Sequence, residues 1–480
     1  MAPPQPRVAP TFFAFLPHSV QKSRSDPTVV GLDPTSANPG FFTASGVQRD
    51  SGLQGILDKR LQSLNPAKRT RLENLRFALV DLTESIDRPK FAGHDELKQG
   101  GLGSMAKLAI MNAAFQLKFD LSVIALRQSL TTKEALFKAA RDEWNKTQVR
   151  SANPTIKELH ASNPKIELHD KLVKVEREPF PIPLPARGSM PDLERIFDKL
   201  TVSGGVALTF EGSDKILISN PARSSGTPHT TPDCEKYAHH DELTQSEDLK
   251  ECRKLSFAER LFLTVDLSAN AGAHTCVENI GFCYIASCLW QSDIYSPNRG
   301  GGLWEGGSHG HLVGDSLQWR GAPVPRGADP QSCTAASMAA LLTLMAQGRL
   351  VDADSSAAML HLMSKRKQGL TNAAGQSVFS YTRSGFQTGL ARLPDGKRRF
   401  RLTEFHSKLG IGNFENDCAL VVRRESRQEA AGLVEKDLRY IATGFDAGNA
   451  GPLGELIVEL DMAIQENNGF TPRDRDPLVT

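Results

Sequence analysis

The spacing of apolar and polar positions changes character several times along the chain, and each change marks an element. Residues 1–51 are rich in Pro, Ser, Thr and Gly with few periodic apolar positions, so they read as a flexible extension without a face to bury. Apolar residues then recur at helical spacing over 55–75, at Ile56, Leu57, Leu61, Leu64, Leu72 and Leu75, with a break at Pro66. The short run 77–82, Phe-Ala-Leu-Val-Asp-Leu, has the length and composition of a central strand. A polar turn at Asp87-Arg-Pro89 leads to a glycine-rich entry at 100–103, and the Ala-, Leu- and Met-rich stretch 108–117 predicts a buried helix behind it.

The text of 131–251 is different. Lys- and Glu-rich helical sequence, a proline-rich stretch at 179–185, strand-like runs at 205–210 and 216–219 and a polar passage ending near Lys250 predict an insertion or subdomain. Apolar helical sequence resumes over 255–289, and a Gly-rich loop follows at 298–307, of a kind that often borders a site. Helices are expected at 334–347, with Met338, Leu341, Leu342 and Met345 on one face, and at 355–364. Strand-like runs at 399–405, 418–422 and 440–443 precede a last amphipathic helix at 453–464. Strand, helices, strands and helix make an α/β (α+β) plan in which both ends of the chain join one antiparallel sheet flanked by helices. The expected division is an extension over 1–51, a main domain over 52–130 and 252–470 interrupted by a large insertion at 131–251, and a tail at 471–480.

Composition narrows the function classes. Hydrophobic residues at 39% and charged residues at 23% are ordinary for a globular chain. A formal charge of +2 gives no electrostatic case for nucleic acid or an anionic membrane. The pattern offers neither a membrane-spanning run nor a signal peptide, so the expected address is cytoplasmic as written and periplasmic if a leader has been removed. Seven cysteines are scattered without paired C-x-x-C spacing, and Cys276, Cys283 and Cys288 sit in one apolar segment as small buried thiols. No metal or cofactor is expected. His239-His240, His309 and His311 lack ligand companions and read as solvent-facing, and His406 as a strand-edge histidine. The 100–107 segment lacks the Gly-Lys-Ser/Thr ending of a phosphate loop.

Candidate chemistry begins at Ser104. Ser104-x-x-Lys107 puts a hydroxyl and an amine one helical turn apart on the same face, within reach of each other for proton transfer. The start of the following helix favours a developing negative charge. Equal spacing occurs at Ser19/Lys22, Ser162/Lys165 and Ser364/Lys367. Ser104 alone follows a strand and a turn, is introduced by glycines and opens an apolar helix. Downstream come Ser268-x-Asn270, interrupting an apolar helical segment, and Lys408-x-Gly410 at the end of a strand.

This ordered set resembles the penicillin-recognising serine enzymes, that is β-lactamases, penicillin-binding transpeptidases and carboxypeptidases, whose signatures are S-x-x-K, S-D-N and K-T-G. The resemblance spans roughly 75–464 apart from the inserted region. It implies a β-lactamase/transpeptidase-like antiparallel sheet with an all-helical subdomain, and a small-molecule or peptide substrate carrying an acyl group. By resemblance, Ser104 is the nucleophile and Lys107 accepts its proton. Ser268 relays a proton to the leaving nitrogen, and Asn270 holds the substrate amide or Lys107. Lys408 supplies positive charge, and Gly410 lets the strand approach the substrate. The backbone N–H groups of Ser104 and Ile411 form the oxyanion hole. Glu305, between the second and third motifs, is the candidate base for a deacylating water, against a solvated loop carboxylate. Trp304 either covers the pocket or anchors its loop. Ala269 stands where Asp is usual and Leu409 where Thr or Ser is usual, so the resemblance implies acyl transfer without fixing penicillin or a D-alanyl peptide as substrate. A β-lactamase-like hydrolase is the first expectation and a D,D-peptidase or transpeptidase the second. Glutaminase-like amide hydrolysis stands further off, and the alternative from another class is a binding protein that keeps the fold with its chemistry reduced.

Overall fold

The computed structural model describes residues 47–151, 166–169, 172–175, 190–202, 206–213, 249–266, 268–281, 284–285, 288–289, 294–296, 301–305, 331–364, 385–386, 390, 402–411, 415–430, 432–447 and 450–470. In chain order the elements used below are β1 (Gln48–Arg49), α1 (Ser51–Ser63), β2 (Arg76–Asp81), β3 (Lys90–His94), β4 (Gln99–Gly101), α2 (Lys107–Arg127) and α3 (Lys133–Ser151). There follow β5 (Phe197–Thr201), β6 (Ala207–Phe210), α4 (Phe257–Val265), α5 (Asn270–Ile280), β7 (Trp304–Glu305), β8 (Gln331–Thr334), α6 (Ala335–Ala346) and α7 (Ala353–Leu362). The chain closes with β9 (Leu402–Ile411), β10 (Glu415–Glu429), β11 (Gly432–Ala447) and α8 (Ala450–Asn467).

A six-stranded sheet in the order β1-β3-β2-β11-β10-β9 organises the molecule, so the early and late strands meet at β2–β11. Pairing is antiparallel throughout except between β1 and β3. The run at 77–82 is apolar without alternation because both faces of β2 are covered. Phe77 and Leu79 enter a core with Leu53 and Leu57 of α1 and Leu453, Leu456 and Ile457 of α8. Ala78 and Val80 enter the larger core, with α2, α4, α5 and α6 on the other face. Helix starts follow local chemistry: Ser256 and Glu259 form a capping box on α4, and Thr334 and Asp352 cap α6 and α7.

Some expectations are corrected. Val47 is buried, β1 pairs with β3 and α1 opens at Ser51, so the end of the proposed extension belongs to the sheet. Residues 1–46 lie outside the described residues. Part of the 298–307 stretch is strand: Trp304 and Glu305 pair with Ser332 and Gln331 of β8, which in turn pairs with β4. The helical stretch Gly103–Arg127 is long and apolar enough to cross a membrane by length and composition, with a mean hydropathy of 1.3, contrary to the sequence pattern read above. Its most apolar window is 83% buried inside the fold, which makes it a core helix. Within the 131–251 stretch, Leu136, Phe137, Trp144, Phe197 and Phe210 join the larger core beside α2, with Phe197 stacked on Phe210. Cys276 and Cys288 are buried thiols, as expected, while Cys283 lies outside the described residues.

Candidate active site

Ser104 lies in a 3-10 turn, Gly103–Ala106, that runs directly into α2. Gly103 has φ 53, a left-handed conformation glycine adopts without steric cost. The turn is clamped from two sides. Leu102 N–H donates to the Gln331 carbonyl of β8 at 2.9 Å, and the Asn416 amide of β10 donates to the Gly101 carbonyl at 2.6 Å. Next to Asn416, Gly410 of β9 packs so closely that a Cβ there would lie 2.0 Å from the Leu102 carbonyl oxygen. The expected close approach at Gly410 is therefore to the backbone that presents Ser104.

Lys107 is fully buried. Its Nζ lies 2.9 Å from Ser104 Oγ, 2.7 Å from Asn270 Oδ1 and 2.5 Å from the Ser268 carbonyl oxygen. Burial pushes its pKa down to about 7, with the Glu305 carboxylate opposing part of that fall through space. As a neutral amine, Lys107 gives its two N–H groups to the Asn270 and Ser268 carbonyls, which leaves its lone pair for the Ser104 hydroxyl.

Ser268 sits in the junction between α4 and α5 with φ 59, a conformation that costs a non-glycine residue about 1–2 kcal/mol. This twist sends its carbonyl to Lys107 and its hydroxyl to Lys408, whose Nζ donates to Ser268 Oγ at 2.5 Å and to the Leu409 carbonyl at 3.0 Å. Ala269 is buried, and its N–H donates to the Leu263 carbonyl at 2.8 Å. Lys408 is 1% exposed, so both lysines are withdrawn from solvent.

β9 is the edge strand of the large sheet. Ser407 N–H donates outward, to the Met363 carbonyl at 3.1 Å. Register is unbroken from Glu404 to Ile411, so the N–H groups of Leu409 and Ile411 point to the same side of the strand as that of Ser407. Alternation puts Lys408 and Gly410 on the face of the larger core and Leu409 on the opposite one. The Ile411 N–H is thus directed away from β10, on the strand that packs against the turn carrying Ser104.

Glu305 is fully buried in β7, which removes the solvated-loop reading. Gln331, its cross-strand partner, places Nε2 3.2 Å and 3.5 Å from the two carboxylate oxygens. Trp304 is buried in the larger core, in keeping with an anchor for this segment. His406 bonds the Leu360 carbonyl and Glu404 at the outer edge of β9, as expected of a strand-edge histidine. His239, His240, His309 and His311 lie outside the described residues. No cluster able to hold a metal occurs among the described residues. The structure thus brings together Ser104, Lys107, Ser268, Asn270 and Lys408 by direct hydrogen bonds, Gly410 and Ile411 by strand position, and Glu305 by its field on Lys107. Sequence reasoning missed Gln99, Gln331 and Asn416. Each is a polar residue on a strand, and nothing local separates it from a surface residue.

No protein-family model and no curated protein matches the chain. Among solved structures it is similar to a β-lactamase from Sphaerobacter thermophilus, at 10% identity over 87% of this chain and 97% of that one, with a TM-score of 0.37. A β-lactamase from Xanthomonas campestris pv. campestris is 12% identical over 87% of this chain and 99% of that one, with a TM-score of 0.38. The protein PBP-A is 10% identical over 88% of this chain and 97% of that one, with a TM-score of 0.36.

Proposed function

We propose that the protein is a serine hydrolase of the β-lactamase and penicillin-binding-protein type, forming an acyl-enzyme at Ser104 with an amide, lactam or ester. One observation carries this reading: side chains from distant parts of the chain converge on one another, with the Lys107 amine against the Ser104 hydroxyl and the Ser268 carbonyl, and the Lys408 ammonium against the Ser268 hydroxyl. A purely structural role gives no reason to bury the Lys107 amine against a hydroxyl, an amide oxygen and a main-chain carbonyl, a costly arrangement.

In acylation, Ser104 Oγ bonds to the substrate carbonyl carbon as neutral Lys107 takes its proton. The carbonyl oxygen gathers negative charge toward the N–H groups of Ser104 and Ile411, where one such donor contributes on the order of 3 kcal/mol. Collapse breaks the bond to the leaving nitrogen or oxygen. Ser268 gives that atom its proton while Lys408 stabilises the oxygen left behind, and Ser268 then regains a proton from solvent as Lys107, which meets Ser268 only at its carbonyl, releases the one it took. In deacylation, Glu305 takes a proton from water as the water oxygen bonds to the acyl carbon. The C–Oγ bond breaks, and the proton returns to Ser104.

Leu409 stands in the Lys-x-Gly segment where penicillin-recognising enzymes have Thr or Ser, which favours substrates that do not require a hydroxyl at that position. Intact-mass measurement after incubation with penicillin, a cephalosporin and a fluorophosphonate tests the reading, with Ser104→Ala as control. A mass increase confined to the wild-type chain is expected. Folded protein that gains no mass from any of the three overturns it.

A further inference from the structure

We propose that Gln99 and Gln331 are positioning residues that hold Glu305 in place against the nucleophile turn and thereby set the lifetime of the acyl-enzyme. The inference rests on the acyl-enzyme reading above and concerns its second half, hydrolysis.

Glu305 lies within a glycine-rich passage, Gly300-Gly-Gly-Leu-Trp-Glu-Gly-Gly, which carries little conformational preference of its own. Its strand, β7, is two residues long, and two residues of pairing fix a backbone poorly. Main-chain pairing of Gly301–Gly302 with Tyr295–Ser296 adds to it, and side chains supply the rest. Gln99 of β4 donates from Nε2 to the Gly302 carbonyl at 2.7 Å and accepts from Gly302 N–H at 3.0 Å. Its carboxamide thus bonds one residue in the way a neighbouring strand would. The same Nε2 lies 2.9 Å from Ser332 Oγ, tying the clamp to β8. Gly302 itself has φ 132, a conformation only glycine adopts readily, so the clamp sits where the backbone most needs holding.

Gln331 completes the arrangement from the other side. Its carbonyl accepts from Leu102 N–H, two residues before Ser104, and its amide donates to the Glu305 carboxylate. One residue therefore fixes the nucleophile turn through its main chain and the carboxylate through its side chain. The distance between them is set by a single residue of β8. A general base misplaced by about 1 Å loses on the order of a hundredfold in rate, while acylation, which draws on Lys107, Ser268 and Lys408, has its own hydrogen bonds.

The test separates the two half-reactions. Gln331→Met and Gln99→Met retain side-chain length without the carboxamide. Each is compared with wild type in burst kinetics and in the decay of the Ser104 adduct, followed by intact mass with whichever of the three probes above acylates Ser104 and is released. Deacylation should slow at least tenfold more than acylation in Gln331→Met, and about threefold or more in Gln99→Met. Loss of both half-reactions in parallel with thermal stability would make the residues merely structural and overturn the proposal, as would an unchanged adduct lifetime in both variants. If Gln331→Met does not fold, Gln99→Met decides. Absence of a wild-type adduct overturns the acyl-enzyme reading itself, an outcome distinct from an adduct whose lifetime the variants leave unchanged.

Discussion

Two cations are fully buried on opposite faces of the large sheet, and they are held in opposite ways. Arg423 of β10 meets Asp461 of α8 at 2.6 Å and Gln465 at 3.0 Å, while Tyr440 donates to the same carboxylate at 2.7 Å. Charge meets charge there, and burial together with Asp461 holds the Tyr440 hydroxyl well above its ordinary pKa. Lys107 contacts a hydroxyl, an amide oxygen and a main-chain carbonyl, with its carboxylate Glu305 acting through space. Contact pairing makes a buried cation structural. Burial without that contact brings Lys107 down to about 7, the condition a proton-accepting amine requires.

The sharpest way to break this comparison is to remove each cation in turn. Lys107→Met should cut the rate of Ser104 acylation by about a thousandfold or more and leave the chain folded, as stopped-flow labelling and circular dichroism would show. Arg423→Met strands Asp461 in the core and should cost about 3–5 kcal/mol of stability in denaturant titration. The fraction that remains folded should still acylate at the wild-type rate, and a loss in that fraction would erase the distinction between the two faces.

A third buried charge extends the contrast. Asp120 of α2 is fully buried, accepts from Gln116 at 2.8 Å and Tyr284 at 2.7 Å, and has its pKa raised by burial to about 7. Between its unfolded value, near 4, and 7, the folded chain keeps a proton that the unfolded chain releases, so stability falls as pH rises through that window. Asp120→Asn should flatten this fall and stabilise the protein by about 1–3 kcal/mol at pH 8 relative to wild type. Thermal melts across pH measure it.

The smallest effect is a shift of midpoint. Acylation should rise about tenfold per pH unit up to about pH 7 and level off above it, as Lys107 loses its proton. Glu305→Gln removes the charge that raises the Lys107 pKa, so the midpoint should move to lower pH. A midpoint that stayed in place would show that Glu305 does not act on Lys107.

How much of this was legible beforehand depended on the length of the element involved. The strand at 77–82 and the helices at 334–347 and 453–464 were readable because several apolar residues repeat at a fixed period. Ser104 and Lys107 were readable because their partnership is local. Ser268 and Lys408 were readable only as an ordered pair of motifs: the hydrogen bond joining them spans 140 positions, and the one from Lys107 to Ser268 spans 161. No local pattern encodes such distances. Glu305 looked like a loop residue because a strand of two residues has no period to detect, and its burial depends on chain that lies far away in sequence. Gln99, Gln331 and Asn416 were invisible for the same reason, since what their side chains bond, backbone for Gln99 and Asn416 and the Glu305 carboxylate for Gln331, lies elsewhere in the chain.

The twist at Ser268 has a consequence for how this protein can change. A left-handed serine at the α4–α5 junction holds a small reserve of conformational energy, spent so that one residue can serve both lysines. Ser268→Gly should release it, leaving a sturdier protein with a silent relay. On the proposed function, durability and turnover therefore pull this one position in opposite directions.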